Sequence, residues 1–247
     1  MKILLVNDDG YKAEGINVLD RVLSEFGHEI AVLAPTFEQS GKSHSMTLNG
    51  SKVVKRYSDN RFHIDGTPVD CVIYGIKSEI LPFKPDLIVS GINHGYNLST
   101  DITYSGTCGA ARQGAMYGYK AIALSEDKAA DSGYHFEATS RFFAEHLDYF
   151  VSLVEDSSFL NINVPHIFTG AYEYASIGAI EYDDAFSIEK KQEDEFLIKN
   201  VGCEIRYINI DGNKHMNDFE ICQNNKASVS LVSILPSCLV SSMEQWV

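Results

Sequence analysis

The sequence has no block of lysine and arginine, no CxxC pair, no apolar run of membrane-spanning length and no GxGxxG after its first apolar segment. Each absence removes a class of function. With 20 Lys and Arg against 34 Asp and Glu, the formal net charge is −14. No basic stripe can form, which argues against duplex nucleic acid or an anionic membrane as partner. The five cysteines, Cys71, Cys108, Cys203, Cys222 and Cys238, are odd in number and far apart. They are expected as reduced core thiols of a cytosolic protein, not as a disulfide framework or zinc site. No stretch approaches the roughly 20 apolar residues of a membrane helix, and the N-terminus runs into a strand pattern with no leader. A soluble, cytoplasmic protein is expected. Without GxGxxG a dinucleotide cofactor is not expected. The "SGKS" at 40–43 is no P-loop, because the motif's earlier glycine would fall at Thr36.

What is present fits one large α/β domain. The chain has 247 residues, 45% of them hydrophobic, enough for a full core. Apolar runs at 2–7, 29–35, 85–93, 120–126 and 159–165 read as buried strands. Between them, 14–27, 68–81, 106–118 and 136–155 read as helices, the third rich in small residues that let it approach a sheet closely. Strands alternating with helices predict a Rossmann-like, doubly wound, mostly parallel sheet. Residues 46–68 alternate and carry turn signals at Asn49-Gly50 and Ser58-Asp59-Asn60, so a β-ribbon is expected inside the α/β pattern. After about residue 166 the character changes. Residues 182–196 are expected as a charged, solvated stretch, with strands at 204–211 and 227–236. The domain is divided into a catalytic core, 1–166, and a strand-rich extension, 167–247. Strand edges in that extension need covering, and exchange between protomers is the expected way.

Ligands of an open parallel sheet bind outside the carboxyl ends of its strands. Collecting residues there brings together Asn7, Asp8 and Asp9, then Ser40, Lys42, Ser43 and His44, then Asn93, His94 and Asn97. Carboxylates, hydroxyls and carboxamides are hard oxygen donors, suited to Mg²⁺ or Mn²⁺. A divalent cation would also relieve the repulsion between Asp8 and Asp9. The "YSGTCGAA" segment (104–111) leads into a helix, whose first N–H groups can cradle phosphate. Ser105, Gly106 and Thr107 are the candidate phosphate contacts, with Asn97 beside them. A metal next to a phosphate cradle describes phosphate-ester hydrolysis. An aspartyl-phosphate route through one of the aspartates is the competing mechanism. A nucleotide-sensing module without turnover is the competing function. The opening "KILLVNDD" also looks like that of a response-regulator receiver domain, but such a domain needs an aspartate where this chain reads "SGIN" (90–93).

Six blocks in order, "ILLVNDDGYKAEGI", "LAPTFEQSGKSHSMT", "DGTPVDCV", "DLIVSGINHGYN", "YSGTCGAARQGAM" and "LNINVP", resemble the SurE (survival protein E) family of metal-dependent nucleotidases. The resemblance implies one divalent ion per subunit, held by Asp8, Asp9, Ser40 and Asn93, with Asp8 and Asp9 central to catalysis. It implies hydrolysis of nucleoside 5′- and 3′-monophosphates, sometimes of short polyphosphate. It also implies a homodimer or homotetramer built with the C-terminal extension.

Overall fold

The computed structural model describes residues 1–128, 133–208 and 215–235. The chain begins with strand β1 (Lys2–Val6), helix α1 (Glu14–Glu25) and strand β2 (Glu29–Pro35). A ribbon of β3 (Val54–Ser58) and β4 (Arg61–Ile64) follows. Then come α2 (Pro68–Lys77), β5 (Leu87–His94), a short 3-10 helix (Ser99–Thr103), α3 (Gly106–Met116) and β6 (Lys120–Glu126). Helices α4 (Phe136–Glu145) and α5 (Leu147–Leu153) lead to β7 (Ser158–Val164). The last elements are β8 (Tyr172–Tyr174), β9 (Ala179–Gln192), β10 (Glu195–Ile208), α6 (Asp218–Gln223) and β11 (Ala227–Ser233).

Nine strands form one sheet in the order β3-β4-β2-β1-β5-β6-β7-β11-β8. From β4 to β7 every neighbour is parallel. Counting only those six strands along the chain, the order is 3-2-1-4-5-6, the doubly wound Rossmann arrangement. The chain reverses direction across the sheet between β1 and β5, which opens a crevice at their carboxyl ends. Helices cover both faces. Ile16, Leu19, Val22 and Leu23 of α1 join Phe142, Phe143, Leu147 and Phe150 of α4 and α5 on one side. Cys71 and Val72 of α2 and Ala110 of α3 pack with Leu4, Leu33 and Ile88 on the other. The small-residue helix does approach closely: a Cβ on Gly114 would stand 2.8 Å from Ile88 Cδ1. Helix α2 starts where its sequence says it should, with Thr67 and Asp70 capping each other reciprocally and Pro68 in the first turn.

Several expectations are corrected. The ribbon is shorter than 46–68, and β4 lies parallel to β2, so it supplies the third strand of the parallel core. The helix expected over 136–155 breaks at His146 (φ −106°), and Leu147 and Phe150 beyond the break still enter the core. Residues 182–196 are exposed, as expected of a charged, solvated stretch, but they also carry strand structure. They belong to a long antiparallel hairpin in which Ile188 faces Ile198 and Glu181 faces Arg206. Its charges alternate with apolar residues, and that alternation carries the strand. The expected strand 204–211 is the end of this hairpin up to Ile208, and 209–211 lie outside the described residues. Strand β11 does not await a partner chain. It is paired antiparallel with β7 and parallel with β8 inside the main sheet, because Ala227 and Val229 complete the core. Cys71, Cys108 and Cys222 are free and buried, whereas Cys203 is exposed on the hairpin and not in the core. Cys238 lies outside the described residues. Among the described residues no helix is long and apolar enough to cross a membrane.

Candidate active site

Beyond β1 the chain turns through Asn7–Gly10. The Asn7 side chain closes this turn, donating to the Gly10 carbonyl (2.9 Å) and accepting from the Gly10 N–H (3.3 Å). Asn7 is thus a turn former, and the residues it presents are Asp8 and Asp9.

Asp8 is only 3% exposed. The Thr107 hydroxyl donates to its Oδ1 and also lies 3.2 Å from Asn93 Oδ1. Asn93 is oriented by its own amide, which donates to the Gly95 carbonyl at 2.9 Å and so turns Oδ1 toward Asp8. One hydroxyl proton therefore faces two acceptors. Asp9 accepts the His94 N–H at 3.2 Å and stands 3.3 Å from His94 Nδ1. The His94 ring is stacked on Tyr134 and Phe136. Burial pushes both carboxyls up to about 6. At Asp8 the Thr107 hydrogen bond opposes the rise and the charge of Asp9 adds to it. At Asp9 the His94 N–H opposes it and Glu38 adds to it.

The other candidate metal ligand, Ser40, sits on the loop after β2 and donates to Glu38 Oε1 (2.8 Å). That loop is pinned over the site. The Gln39 N–H donates to the Asp8 carbonyl (2.7 Å) and the Ser43 N–H to the Tyr104 carbonyl (2.9 Å). His44 Nε2 contacts Gln113 Oε1 of α3 (2.9 Å), so His44 fastens the loop. Asp8, Ser40, Asn93, Asn97 and Ser105 all line one open cavity of about 210 Å³. Asp9, Gly106 and Thr107 do not line it; Asp9 contacts His94, and Gly106 and Thr107 adjoin Asp8.

On the phosphate side, Ser105 caps α3, its Oγ accepting the Cys108 N–H at 3.0 Å. Gly106 is required by proximity, because a Cβ there would stand 3.0 Å from both Cβ and Oδ2 of Asp8 and from Pro68 Cγ. Thr107 departs from its expected part as a phosphate donor. Its hydroxyl is directed to Asp8 and Asn93, which makes it an orienting group for the carboxylate. Asn97 is held in a buried amide network: its side chain donates to Ser125 Oγ, and Asn163 Oδ1 accepts its backbone N–H, each at 2.8 Å. Tyr96, Asp101 and Tyr104 also line the cavity and were not singled out in the sequence. Their signal was their place between the "SGIN" and "YSGT" blocks.

The donor set suits a hard divalent cation: two adjacent carboxylates, an oriented carboxamide oxygen and a nearby hydroxyl. Among the described residues no three of His, Cys, Asp or Glu gather as a metal-binding cluster, at this site or elsewhere, so an ion here would depend on the Asn93 and Ser40 oxygens as well as the carboxylates. A doubly wound, mostly parallel sheet with paired carboxylates and a helix start at its crevice places the chain in the Rossmann-like class of α/β proteins. The comparisons narrow the class. The family model described as Survival protein SurE matches residues 3–184, and the chain belongs to that family. A protein named 5′-nucleotidase SurE from Geotalea uraniireducens is 46% identical over 169 residues, covering 68% of this chain and 66% of that protein. Its namesake from Beijerinckia indica subsp. indica is 44% identical over 133 residues, covering 54% and 51%. The matched part of the chain thus spans half to two-thirds of these relatives' lengths. The crystal structure of SurE protein from Aquifex aeolicus superposes with a TM-score of 0.81 at 26% identity, covering 99% of this chain and 98% of that one.

Proposed function

We propose that the protein is a divalent-metal-dependent phosphomonoesterase that hydrolyses nucleoside 5′-monophosphates, and also 3′-monophosphates and short polyphosphate. The observation that carries this reading is the meeting of Asp8, Asn93 and Thr107 at one point beside the start of α3. Three oxygens share one proton there, an arrangement that a cation would complete. Asp8, Asp9, Ser40 and Asn93 would hold one Mg²⁺ or Mn²⁺ per subunit. Bound there, such an ion supplies Lewis-acid polarisation of phosphoryl oxygens and activation of water for in-line attack.

The chain's own residues do the rest. Thr107 and the His94 N–H fix the carboxylates, so little reorganisation is left for the reaction. Ser105, Gly106 and Asn97 line or adjoin the space where phosphate oxygens would sit, and the N-terminal dipole of α3 favours their charge. His94 closes the far side of Asp9. Names of relatives such as 5′-nucleotidase SurE support the substrate class. The same reading puts the protein in the cytoplasm, in keeping with the four free cysteines among the described residues. It also makes the protein a homodimer or homotetramer through the exposed β9–β10 hairpin.

Phosphate release from a panel of nucleoside monophosphates, with Mn²⁺, Mg²⁺ or EDTA, tests the activity. Metal-dependent release is expected. Its complete absence, with nucleotide binding retained, would replace the enzyme by a sensor.

A further inference from the structure

Beside the cavity that holds Asp8 lies a second of about 190 Å³, and Tyr96 lines both. It opens on the same rim of the sheet. Asp127 comes directly after β6, Pro165 and His166 directly after β7, and Phe219 and Gln223 belong to α6. Its walls differ in chemistry from those of its neighbour. Both carry rings, but the first adds the Asp8 and Asp101 carboxylates with the Ser40 and Ser105 hydroxyls, whereas the second sets Tyr96 and Phe219 beside Pro165 and Cys222 with polar groups around them. Phe219 is held by stacking on Tyr207. His166 Nδ1 is 2.9 Å from Asp127 Oδ2, which leaves Nε2 as the ring's other polar atom at the margin of the cavity. The exposed Gln223 carboxamide carries both a donor and an acceptor. Flat rings with donors and acceptors at the margin suit a heteroaromatic ring, which presents π faces and a polar edge. Each cavity alone is below the roughly 300–1,000 Å³ usual for ligand sites, and the two joined reach that range.

We propose that this second cavity takes the nucleoside part of the substrate, its base against Tyr96 and Phe219 and its polar edge toward His166 and Gln223, while the phosphate lies in the Asp8 cavity. The proposal rests on the nucleotidase reading above and names what would make that reaction selective for nucleotides over other phosphate esters. Tyr96, shared by both cavities, marks where the sugar would cross between them.

The test compares adenosine 5′-monophosphate with phenyl phosphate, which keeps the phosphomonoester and lacks the nucleoside. Full-length Phe219→Leu and Gln223→Ala are assayed beside wild type, with melting curves to confirm folding. Gln223 is exposed, so its variant keeps the test open if Phe219→Leu folds poorly. Phe219→Leu is expected to lower the ratio of kcat/KM for the nucleotide over phenyl phosphate at least tenfold, chiefly by raising the nucleotide's KM. Gln223→Ala is expected to alter the relative rates among adenine, guanine, cytosine and uracil nucleotides. A ratio and base preference that stay within twofold of wild type in both variants would overturn the subsite and leave the nucleotidase reading intact. A wild type that hydrolyses neither ester would overturn the nucleotidase reading instead. Adenosine binding by calorimetry then decides the subsite: binding weakened at least tenfold in Phe219→Leu upholds it, and absence of binding to wild type refutes it.

Discussion

Asp8 and Asp9 sit side by side with little water to screen them, and their carboxyls are raised to about 6 for that reason. A folded-state value above the unfolded one of 3.8 means that the folded protein binds the proton more tightly. Stability associated with Asp8 is therefore fully present below about pH 4 and is lost as pH rises through 6. For the nearly fully buried Asp8 the loss is on the order of 3 kcal/mol. In protein stripped of metal, Asp8→Asn should melt several degrees above wild type at pH 7.5, and the gain should vanish near pH 4. The same variant should lose the stabilisation that Mn²⁺ gives wild type. Thermal melts across pH, with and without EDTA, measure both effects; a variant melting below stripped wild type at pH 7.5 would make the pair structural. Gly106 is the complementary case. Gly106→Ala adds a methyl 3.0 Å from Asp8 and Pro68, tighter than ordinary packing tolerates. Overpacking of this kind costs about 1–3 kcal/mol. Turnover should fall at least tenfold while circular dichroism stays native, since the displaced atoms belong to Asp8 and α3.

At the scale of elements, the rim that carries the candidate site depends on a strut from the C-terminal region. Asp218, fully buried at the start of α6, accepts the Ser99 N–H (2.5 Å), the Ser99 hydroxyl (2.8 Å) and the Phe219 N–H (3.0 Å). Ser99 has φ +53°, a conformation that an L-residue keeps only when its surroundings hold it. It begins the 3-10 helix that ends just before Ser105 and α3. Asp218→Asn keeps the shape but sets an amide N–H₂ among groups that are themselves donors. A destabilisation of about 1.5–3 kcal/mol in urea is expected, together with a lower kcat at saturating metal. An unchanged kcat would show that the strut serves the fold alone. Dividing the domain into a core and a strand-rich extension does not reveal this link, because its two ends are 119 residues apart in the chain.

For the whole molecule, the β9–β10 hairpin is the part that does not pay its own way in burial. Its two strands of 14 residues pair only with each other, and Phe186, Ile188, Phe196, Ile198, Val201 and Ile205 are exposed. An isolated two-stranded ribbon is marginal in water, and the proposed homodimer or homotetramer would cover it with a second copy of the chain. Truncating the chain near residue 180 would also delete β11 from the main sheet, which confounds that test. Replacing residues 184–203 by a tight Asn-Gly turn leaves the hairpin base, including the Tyr182 hydroxyl bonded to Asp101 of the candidate site. Light scattering should then show one chain in place of a multiple of 27.4 kDa. An unchanged mass would remove the hairpin from the assembly.

The amino-acid sequence by itself determined the parallel core and most of the rim. Buried strands such as β1, β5 and β7 are continuous apolar runs, and a parallel sheet places whatever follows them at one edge. Asp8, Ser40, Asn93, Asn97 and Ser105 were legible because their positions follow from strand ends, which local pattern reveals. Tertiary structure decided what depends on contacts between distant segments. The pairing of β4 with β2 and of β11 with β7 follows from which apolar faces completed the core, since the same alternating pattern fits an edge, an interior strand or a partner's sheet. Whether the Thr107 hydroxyl turns to phosphate or to Asp8 depends on how close α3 comes to β1, and Gly106 sets that distance only once both elements are in place. The union of Tyr96, His166 and Phe219 around one cavity likewise arises from three separate segments meeting on one rim, a distance in space that no spacing along the chain encodes.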